Sequence, residues 1–452
     1  MHLPFVVLAM CEGVALWLAA LFSLLYLHVG APHSALVPLA TGIAILTLIA
    51  MSAFGMFSRR FRERAAGEVL RIALAALVGG IAAAILGAVV PVPPPLRFID
   101  LLLVVPACTI AASATRLIFG RLLDEDTFRR RVLVYGSGMR AESIARLRRR
   151  ADQRGFKLIG FVQPEGEIVT IARDLLLTAP RSLLQLCDDL DIDEIVVAMD
   201  DRRRSFPVAE LLDCRLAGID ITEVIGFLER ETGRVRIDVL HPSWLIFSDG
   251  FRRHLLRRVT GRTFDLLAGV LLLSLVWWLM LLTVIAIKFE DGPSASVLYR
   301  QRRVGLLGRT FDVLKFRSMH MDAESDGRAQ WATKNDQRVT WVGSLIRKVR
   351  IDELPQVLNV LRGNMSFVGP RPERPEFVEQ LADTIPYYRE RHWVKPGITG
   401  WAQICYPYGA SEKDSVEKLQ YDLYYVKNQT LMFDVMILLQ TVETVLLSKG
   451  GR

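Results

Sequence analysis

One stretch of ten residues organises the interpretation of this chain: RKVRIDELPQ, from Arg347 to Gln356. It places two adjacent carboxylates, Asp352 and Glu353, directly after a basic run. Pro355 is tolerated in the first turn of a helix, where backbone N–H groups lack acceptors, so we expect a helix from near Asp352 to just before Gly363. Carboxylates beside cations at a helix N-terminus are typical of phosphate chemistry, because the helix dipole and its free N–H groups stabilise negative charge.

An ordinary structural role also explains these ten residues taken alone. Asp352 would then be a helix N-cap and Glu353 a first-turn acid, a combination found in helices of every function. An ionised aspartate is, however, also a competent nucleophile. The neighbouring sequence has to decide between the two interpretations.

Three further motifs surround the acidic pair and are hard to explain by packing. Gly-Pro-Arg-Pro and Pro-Gly-Ile-Thr-Gly are rigid, tightly turned loops that carry or adjoin a cation, and such backbone approaches a phosphate closely. Each motif alone is weak evidence, whereas their order along the chain is informative. The three motifs lie within Lys315–Met319, Gly363–Pro372 and Lys395–Gln403.

In this order around Asp-Glu-Leu-Pro-Gln, the motifs resemble the bacterial sugar transferases. These monotopic phosphoglycosyl transferases move a sugar 1-phosphate from a nucleotide sugar onto a polyprenyl phosphate. The resemblance covers roughly Arg258 to Asn428 and rests on four motifs with family-like spacing. It implies a UDP-sugar donor, an undecaprenyl phosphate acceptor, release of UMP, and initiation of exopolysaccharide or other glycan assembly.

The resemblance also implies roles for individual residues. Asp352 matches the nucleophile that forms an aspartyl-phosphosugar intermediate. Glu353 matches the partner carboxylate, which is associated with Mg²⁺, a hard cation that prefers carboxylate oxygen. Arg347 matches a phosphate-clamping arginine. Further cations fall in motifs that line the same pocket in the family, where they suit phosphoryl oxygens: Lys315, Arg317 and Arg371.

The chain departs from the family pattern at Asn364, where the family's Gly-Asp-Met-Ser usually has an acid. An amide supplies no charge to a metal or an arginine, so we assign Asn364 no catalytic role. His320 and His392 lie near motif residues but are expected at the surface or in packing. The five cysteines are scattered without CxxC spacing, so neither a zinc site nor a disulfide framework is predicted.

Composition predicts a multi-domain membrane protein. The 452 residues are 51% hydrophobic, and their mean hydropathy is +0.29. The chain is thus too long for one domain and too apolar for an ordinary soluble protein. Four apolar runs, each near the roughly 20 residues that span a bilayer, predict a four-helix transmembrane bundle within residues 1–125. The runs are Leu3–Val29, Leu36–Phe57, Val69–Val90 and Phe98–Leu117.

Charge sets the expected orientation of this bundle. Residues 58–64 and 128–131 are basic, whereas the connections between the first and second runs and between the third and fourth carry almost no charge. The N-terminus and everything after the fourth run are therefore expected in the cytoplasm, with the chain in the bacterial inner membrane. The first run lacks the basic n-region of a signal peptide. A net charge of +8 favours membrane lipid and phosphate ligands, and nucleic acid is not expected as a partner.

Residues 126–250 are expected to form a Rossmann-like cytoplasmic domain. A glycine loop at residues 136–138 follows an apolar strand pattern, and Glu194–Met199 predicts another strand of a small parallel sheet. The glycine pattern ends in Ala141, and the candidate ribose-binding acid, Glu165, is displaced from its expected place. The pattern therefore favours a tight strand-to-helix turn without a bound dinucleotide.

Residues 251–452 are expected to form a mostly α catalytic domain with a re-entrant membrane helix at about 264–287. This run is long enough to span a bilayer, but a fifth crossing would place Asp352 outside, away from nucleotide sugars. The family bends this helix at a proline, and the matching positions here look like Trp277-Trp278. The bend would have to come from Ser274 bonding back to the backbone and from indoles at the interface.

Two other functional classes share part of this pattern. A nucleotide-sugar dehydratase or epimerase would share the bundle and the glycine loop, but it needs a full cofactor fingerprint and a Tyr-x-x-x-Lys pair, and residues 131–249 offer neither. A non-catalytic assembly scaffold would explain the first 250 residues and leave the motifs around Asp352 without a reason. A homo-oligomer is compatible with all three classes.

Overall fold

The chain forms two structural units, Met1–Gly233 and Arg234–Arg452, in a computed structural model. The domain boundaries expected at residues 125 and 250 stay predictions. Each unit is described by itself below. The structure describes residues 3–57, 65–89, 96–122, 129–147, 155–177, 182–201, 206–240, 248, 250, 255–320, 338–406, 409 and 411–446.

Four long apolar helices open the first unit, and their inward side chains form one continuous core. Leu16, Ala40 and Ile72, each from a different helix, are fully buried in it. All four helices are long and apolar enough to cross a membrane, in agreement with the four predicted runs. They are α1 (Leu3–Leu27), α2 (His33–Ala53), α3 (Ala65–Val89) and α4 (Leu101–Leu122).

Charged side chains tie three of these helices together. Arg116 of α4 donates to Glu12 of α1 and, at 2.8 Å, to Glu68 of α3. Glu12 is fully buried. A charge in an apolar environment is tolerated when it is paired, so these bonds offset part of the charge of the two carboxylates and link the three helices.

A five-stranded parallel sheet completes the first unit, with strand order β3-β2-β1-β4-β5. This order is that of a Rossmann-like fold, with the buried strand β1 at the centre, and it confirms the predicted parallel α/β sheet. The strands are β1 (Arg130–Tyr135), β2 (Phe156–Val162), β3 (Leu176–Leu177), β4 (Glu194–Val197) and β5 (Asp220–Glu223). The helices are α5 (Met139–Ala145), α6 (Leu183–Asp189), α7 (Val208–Leu216) and α8 (Val224–Thr232).

The glycine loop between β1 and α5 has acceptors for its backbone N–H groups within the chain. Ser137 N donates to Glu167 Oε2 at 2.6 Å. Met139 N and Arg140 N donate to the two carboxylate oxygens of Asp200 at 2.8 and 2.9 Å. In a dinucleotide-binding Rossmann fold, N–H groups of this loop face a pyrophosphate. The interpretation as a tight turn without a dinucleotide stays a prediction, and these bonds favour it.

The longest helix of the described part of the second unit is α9 (Leu255–Asp291), with 37 residues that include the predicted run 264–287. By length and composition it is a fifth candidate membrane span, and most of its surface is exposed. Ser274 Oγ donates to Leu271 O at 2.7 Å, so the expected bond back to the backbone is present. The chain stays helical through this point.

Short strands and helices follow α9 and carry the sequence motifs. The antiparallel hairpin of β6 (Leu298–Val304) and β7 (Thr310–Phe316) bears the first motif, and the parallel pair β8 (Ser366–Val368) and β9 (Gly397–Thr399) joins the third and fourth. The helices are α10 (Trp341–Lys348), α11 (Gln356–Arg362), α12 (Pro375–Thr384), α13 (Trp401–Cys405), α14 (Glu412–Asn428) and α15 (Leu431–Leu446).

Candidate active site

A 3₁₀ turn, Ile351–Glu353, carries both acidic residues and leads into α11. The helical segment begins near Asp352, as predicted, but its first turn is this 3₁₀ turn, and the α-helix starts at Gln356 with Pro355 as its N-cap. The predicted end is confirmed. Gly363 closes α11 with a φ of +88°, a conformation that glycine adopts without strain.

Arg350 precedes the acidic turn in a left-handed conformation, with a φ of +62°. Such a backbone is uncommon for a residue other than glycine, and it concentrates at functional sites. Arg350 Nη1 lies 3.9 Å from Glu353 Oε2. Arg350 was not among the site residues predicted from the sequence. The available signal was its place in the basic run directly before the acidic pair.

Glu353 is the centre of a cationic cluster. Its Oε1 accepts from Lys315 Nζ and from Arg371 Nη2, each at 3.1 Å. Burial pushes the pKa of Glu353 upward, but Arg371, Lys315 and Arg350 outweigh burial and hold this pKa well below its usual range. Glu353 is therefore ionised at neutral pH. Burial in turn lowers the pKa of Lys315, while the charge of Glu353 opposes that change.

Asp352 is in a different electrostatic position from its neighbour. Burial raises the pKa of Asp352, the charge of Glu353 raises it further, and Lys315 and Arg347 oppose both effects. The sequence predicted that a helix N-terminus would stabilise the ionised form of Asp352. In the structure, burial has the larger effect and disfavours that form. Asp352 Oδ1 is buried and has no hydrogen-bond partner among the described residues. That oxygen is thus available to a substrate or a cation.

The remaining predicted cations differ in their relation to the acidic pair. Arg347 Nε donates to Ser318 Oγ at 2.9 Å, and the charge of Arg347 lowers the pKa of Asp352. Arg317 lies just beyond β7, and its Nε is buried without an acceptor in the described part of the chain. The structure therefore places Lys315 and Arg371 in contact with the acidic pair and Arg347 close to it. Arg317 has no carboxylate partner among the described residues.

The close approach of α10 to the first motif depends on one glycine. A Cβ on Gly343 would lie 2.1 Å from Ser318 O, so a larger residue would force α10 away from this loop. Thr340 caps the helix by accepting from Gly343 N at 2.9 Å. These contacts bring Arg347, in the last turn of α10, beside the acidic turn.

The apolar helix α9 holds the far end of α11. Arg262 Nη1 and Nη2 donate to Val360 O and Leu361 O, each at 2.6 Å, so a cation satisfies the C-terminal carbonyls of the helix. Asp265 accepts from Ser366 Oγ at 2.9 Å, beyond the helix end. The helix that follows the acidic turn is therefore anchored to α9.

Asn364 lies outside the acidic site. It is exposed and follows the C-terminal end of α11, whereas the acidic turn precedes the N-terminal end. A seven-residue helix is about 10 Å long, so the amide at this position removes no group from the acidic pair.

Two histidines near the motif residues differ in their exposure: His320 is exposed and His392 is buried. Burial lowers the pKa of His392 to about 4, in keeping with a packing role.

The chain is similar in sequence to one protein family and to several named bacterial proteins. A model of the family described as bacterial sugar transferase matches residues 256–448. A UDP-N-acetylgalactosamine-undecaprenyl-phosphate N-acetylgalactosaminephosphotransferase of Aeromonas hydrophila is 44% identical over 243 residues, 54% of this chain and 56% of the relative. An undecaprenyl-phosphate glucose phosphotransferase of Komagataeibacter xylinus is 34% identical over 332 residues, 71% of this chain and 60% of the relative.

A shorter relative is covered almost completely. The exopolysaccharide production protein ExoY of Rhizobium meliloti is 38% identical over 204 residues, 42% of this chain and 87% of the relative. By contrast, the chain spans little more than half the length of the Aeromonas and Komagataeibacter proteins, at 56% and 60%. The residues that converge on Asp352 and Glu353 lie inside the family match, and most of the Rhizobium protein is matched as well. The chain therefore belongs to the bacterial sugar transferase family.

Proposed function

We propose that this protein transfers a sugar 1-phosphate from a UDP-sugar to undecaprenyl phosphate, releases UMP, and initiates assembly of exopolysaccharide or another glycan. One observation carries the proposal: an ionised Glu353, paired with Lys315 and Arg371, adjoins a buried Asp352 whose Oδ1 is free among the described residues. This arrangement offers a nucleophile beside cations that suit phosphoryl oxygens. The names of the Aeromonas and Komagataeibacter relatives support the donor and acceptor classes.

The proposed reaction has two displacements at one phosphorus. The Asp352 carboxylate attacks the sugar-bearing phosphorus of the donor, and the bond to the bridging oxygen breaks, so UMP leaves with that oxygen. The phosphate of the lipid acceptor then attacks the same phosphorus and releases the Asp352 carboxylate. Lys315 and Arg371 bind phosphoryl oxygens during both steps, and the pre-existing charge of Glu353 keeps these cations in place.

We also propose Mg²⁺ as the cofactor, with Glu353 as a ligand and the Asp352 carboxylate beside it. Magnesium binds through one or two carboxylates together with substrate phosphates and water, rather than in an all-protein cage. The donor set fits this preference, because the two carboxylates are adjacent and Asp352 Oδ1 is buried without a hydrogen-bond partner among the described residues. When bound, the ion would neutralise charge on the donor diphosphate.

A lipid-labelling assay tests the function directly. Membranes that contain the protein are incubated with Mg²⁺ and one radiolabelled UDP-sugar at a time. We expect label in extractable lipid and an equal amount of released UMP with one of the donors. A dehydratase or epimerase would instead yield an altered nucleotide sugar without labelled lipid, and a scaffold would yield neither product.

We propose that α1–α4 form a transmembrane four-helix bundle in the bacterial inner membrane, that the second unit faces the cytoplasm, and that α9 enters and leaves the bilayer on the cytoplasmic side. The apolar lengths of the five helices support membrane insertion. An even number of crossings before α9 supports the orientation, and the basic residues Arg300, Arg302 and Arg303 after α9 oppose its translocation.

The re-entrant arrangement predicts the same accessibility at both ends of α9. Single cysteines at Thr260 and Ser294, in a variant without the five native cysteines, should resist a membrane-impermeant thiol reagent in intact spheroplasts and react after lysis. A cysteine at Ser34, an exposed position in the first turn of α2, serves as the control that reacts before lysis. If the cysteine at position 294, just beyond α9, reacted before lysis while the cysteine at position 260 did not, α9 would span the membrane.

Deletion of residues 1–250 is expected to leave measurable transfer of sugar phosphate to lipid. The family match begins at residue 256, and the Rhizobium relative consists largely of the matched part. Activity is compared at equal amounts of membrane-bound protein, with the full chain as reference and the same donor. A folded, membrane-bound fragment without activity would show that the deleted part contributes to the site.

A further inference from the structure

The loop at residues 371–374 carries a site cation but forms neither helix nor strand. The sequence Pro-Arg-Pro removes N–H donors on both sides of Arg371, so a regular hydrogen-bond ladder is not available to this segment. Glu373 O accepts from the backbone N–H of Val304, whereas the carbonyls of Arg371 and Pro372 accept from side chains. Arg391 Nη2 donates to Arg371 O at 3.0 Å, and Arg303 Nη1 donates to Pro372 O at 3.1 Å. Two arginines therefore hold the backbone from outside the loop.

Arg391 is the more tightly held of these two arginines. It lies in the 3₁₀ turn Tyr388–Trp393 and is 5% exposed. Its guanidinium pairs with Asp422 of α14 at 2.8 Å and donates to the Tyr388 hydroxyl at 2.8 Å. It also lies over the Tyr388 ring, 5.2 Å from the ring centroid. Asp422 is itself 2% exposed. These contacts engage both terminal nitrogens of the guanidinium.

A contribution to stability does not by itself explain the buried ion pair of Arg391 and Asp422. Removing two charges from water is costly, and a well-packed apolar pair of similar volume is often as stable as a buried ion pair. The bond to Arg371 O is different, because an apolar side chain cannot make it. That bond fixes the Cα of Arg371 and hence the point from which its guanidinium reaches Glu353 at 3.1 Å.

We propose that Arg391, held in place by Asp422, is a positioning residue that acts through Arg371. It orders the 371–374 loop so that the Arg371 guanidinium meets Glu353 and the donor diphosphate. Arg391 is bonded to the loop backbone and not to the acidic pair. This inference rests on the proposed transfer reaction and adds a determinant of its geometry.

The first test compares three single variants in the full-length protein. Arg391→Gln removes the charge and the fork of donors, whereas Arg391→Lys keeps a charge beside Asp422 but cannot reproduce the planar fork. Arg389→Gln, at an exposed arginine of the same 3₁₀ turn, is the matched control. At equal amounts of folded protein we expect a loss in kcat/KM of about tenfold or more for Arg391→Gln, a smaller loss for Arg391→Lys, and none for the control.

A double variant separates positioning from a general packing role. If Arg391 acts through Arg371, Arg391→Gln should cause much less further loss in an Arg371→Ala background than in the wild type. An equal loss in both backgrounds, or normal kcat/KM for Arg391→Gln, would overturn the proposal. Should Arg391→Gln fail to fold, Arg391→Lys is judged by the same comparison.

Hydrogen exchange keeps this test independent of the proposed reaction. The amides of residues 371, 373 and 374 should exchange faster in Arg391→Gln than in Arg389→Gln, and unchanged exchange would overturn the positioning role. Absence of transfer by the wild-type protein with every donor would instead contradict the proposed function, whatever the exchange data show.

Discussion

Asp352→Asn is expected to lower sugar-phosphate transfer by about a thousandfold or more, because an amide cannot form the acyl-phosphate intermediate. The protein should stay folded. Asparagine matches aspartate in size, and Asp352 Oδ1 has no partner to lose among the described residues. Since burial disfavours the ionised form of Asp352, the neutral replacement should leave the melting temperature unchanged or raise it. UMP release and lipid labelling measure the loss of transfer, and thermal melting measures the stability of the folded protein.

The control for this variant is Asp312→Asn, at an exposed position of β7. It makes the same chemical change on a strand that also carries a site residue, and it should retain full activity. A trapping experiment adds a direct readout. Without lipid acceptor, donor labelled in the sugar should leave label on the wild-type protein and none on Asp352→Asn. Near-normal turnover by Asp352→Asn would exclude the covalent mechanism.

Glu353→Gln is expected to reduce transfer by about a hundredfold or more and to weaken the dependence on Mg²⁺. Unlike the first variant, it should also lower the melting temperature at neutral pH. The depressed pKa of Glu353 means that its charge stabilises the fold above the pKa of the unfolded chain, and that this stability is lost as the pH falls through the folded pKa. The deficit in melting temperature should therefore shrink in acid.

A magnesium titration of activity distinguishes the two roles given to Glu353. If it binds the ion, Glu353→Gln requires more Mg²⁺ for half-maximal rate. If it only organises Lys315 and Arg371, the rate falls at an unchanged magnesium requirement, and the metal assignment is wrong. Glu376→Gln, at an exposed position in the first turn of α12, should match the wild type in both rate and magnesium requirement.

The sequence by itself determined the features that depend on local pattern. The length of an apolar run predicts a helix that suits a bilayer, so α1–α4 were predictable within a few residues. Alternating strands and helices with a glycine loop predicted the parallel sheet around β1. The order of the four motifs predicted the family and selected Asp352 and Glu353, because motif order can be read from the sequence without knowing any distance in the structure.

Only the tertiary structure decided how the site residues act on one another. The adjacent Asp352 and Glu353 have pKa values shifted in opposite directions, because Lys315 and Arg371, far away along the chain, both bond to Glu353. Burial of the acidic turn and the contact of Arg391 with Arg371 O likewise depend on packing between separate elements. Charge interactions fall with distance and change with burial, and neither quantity can be read from the order of residues.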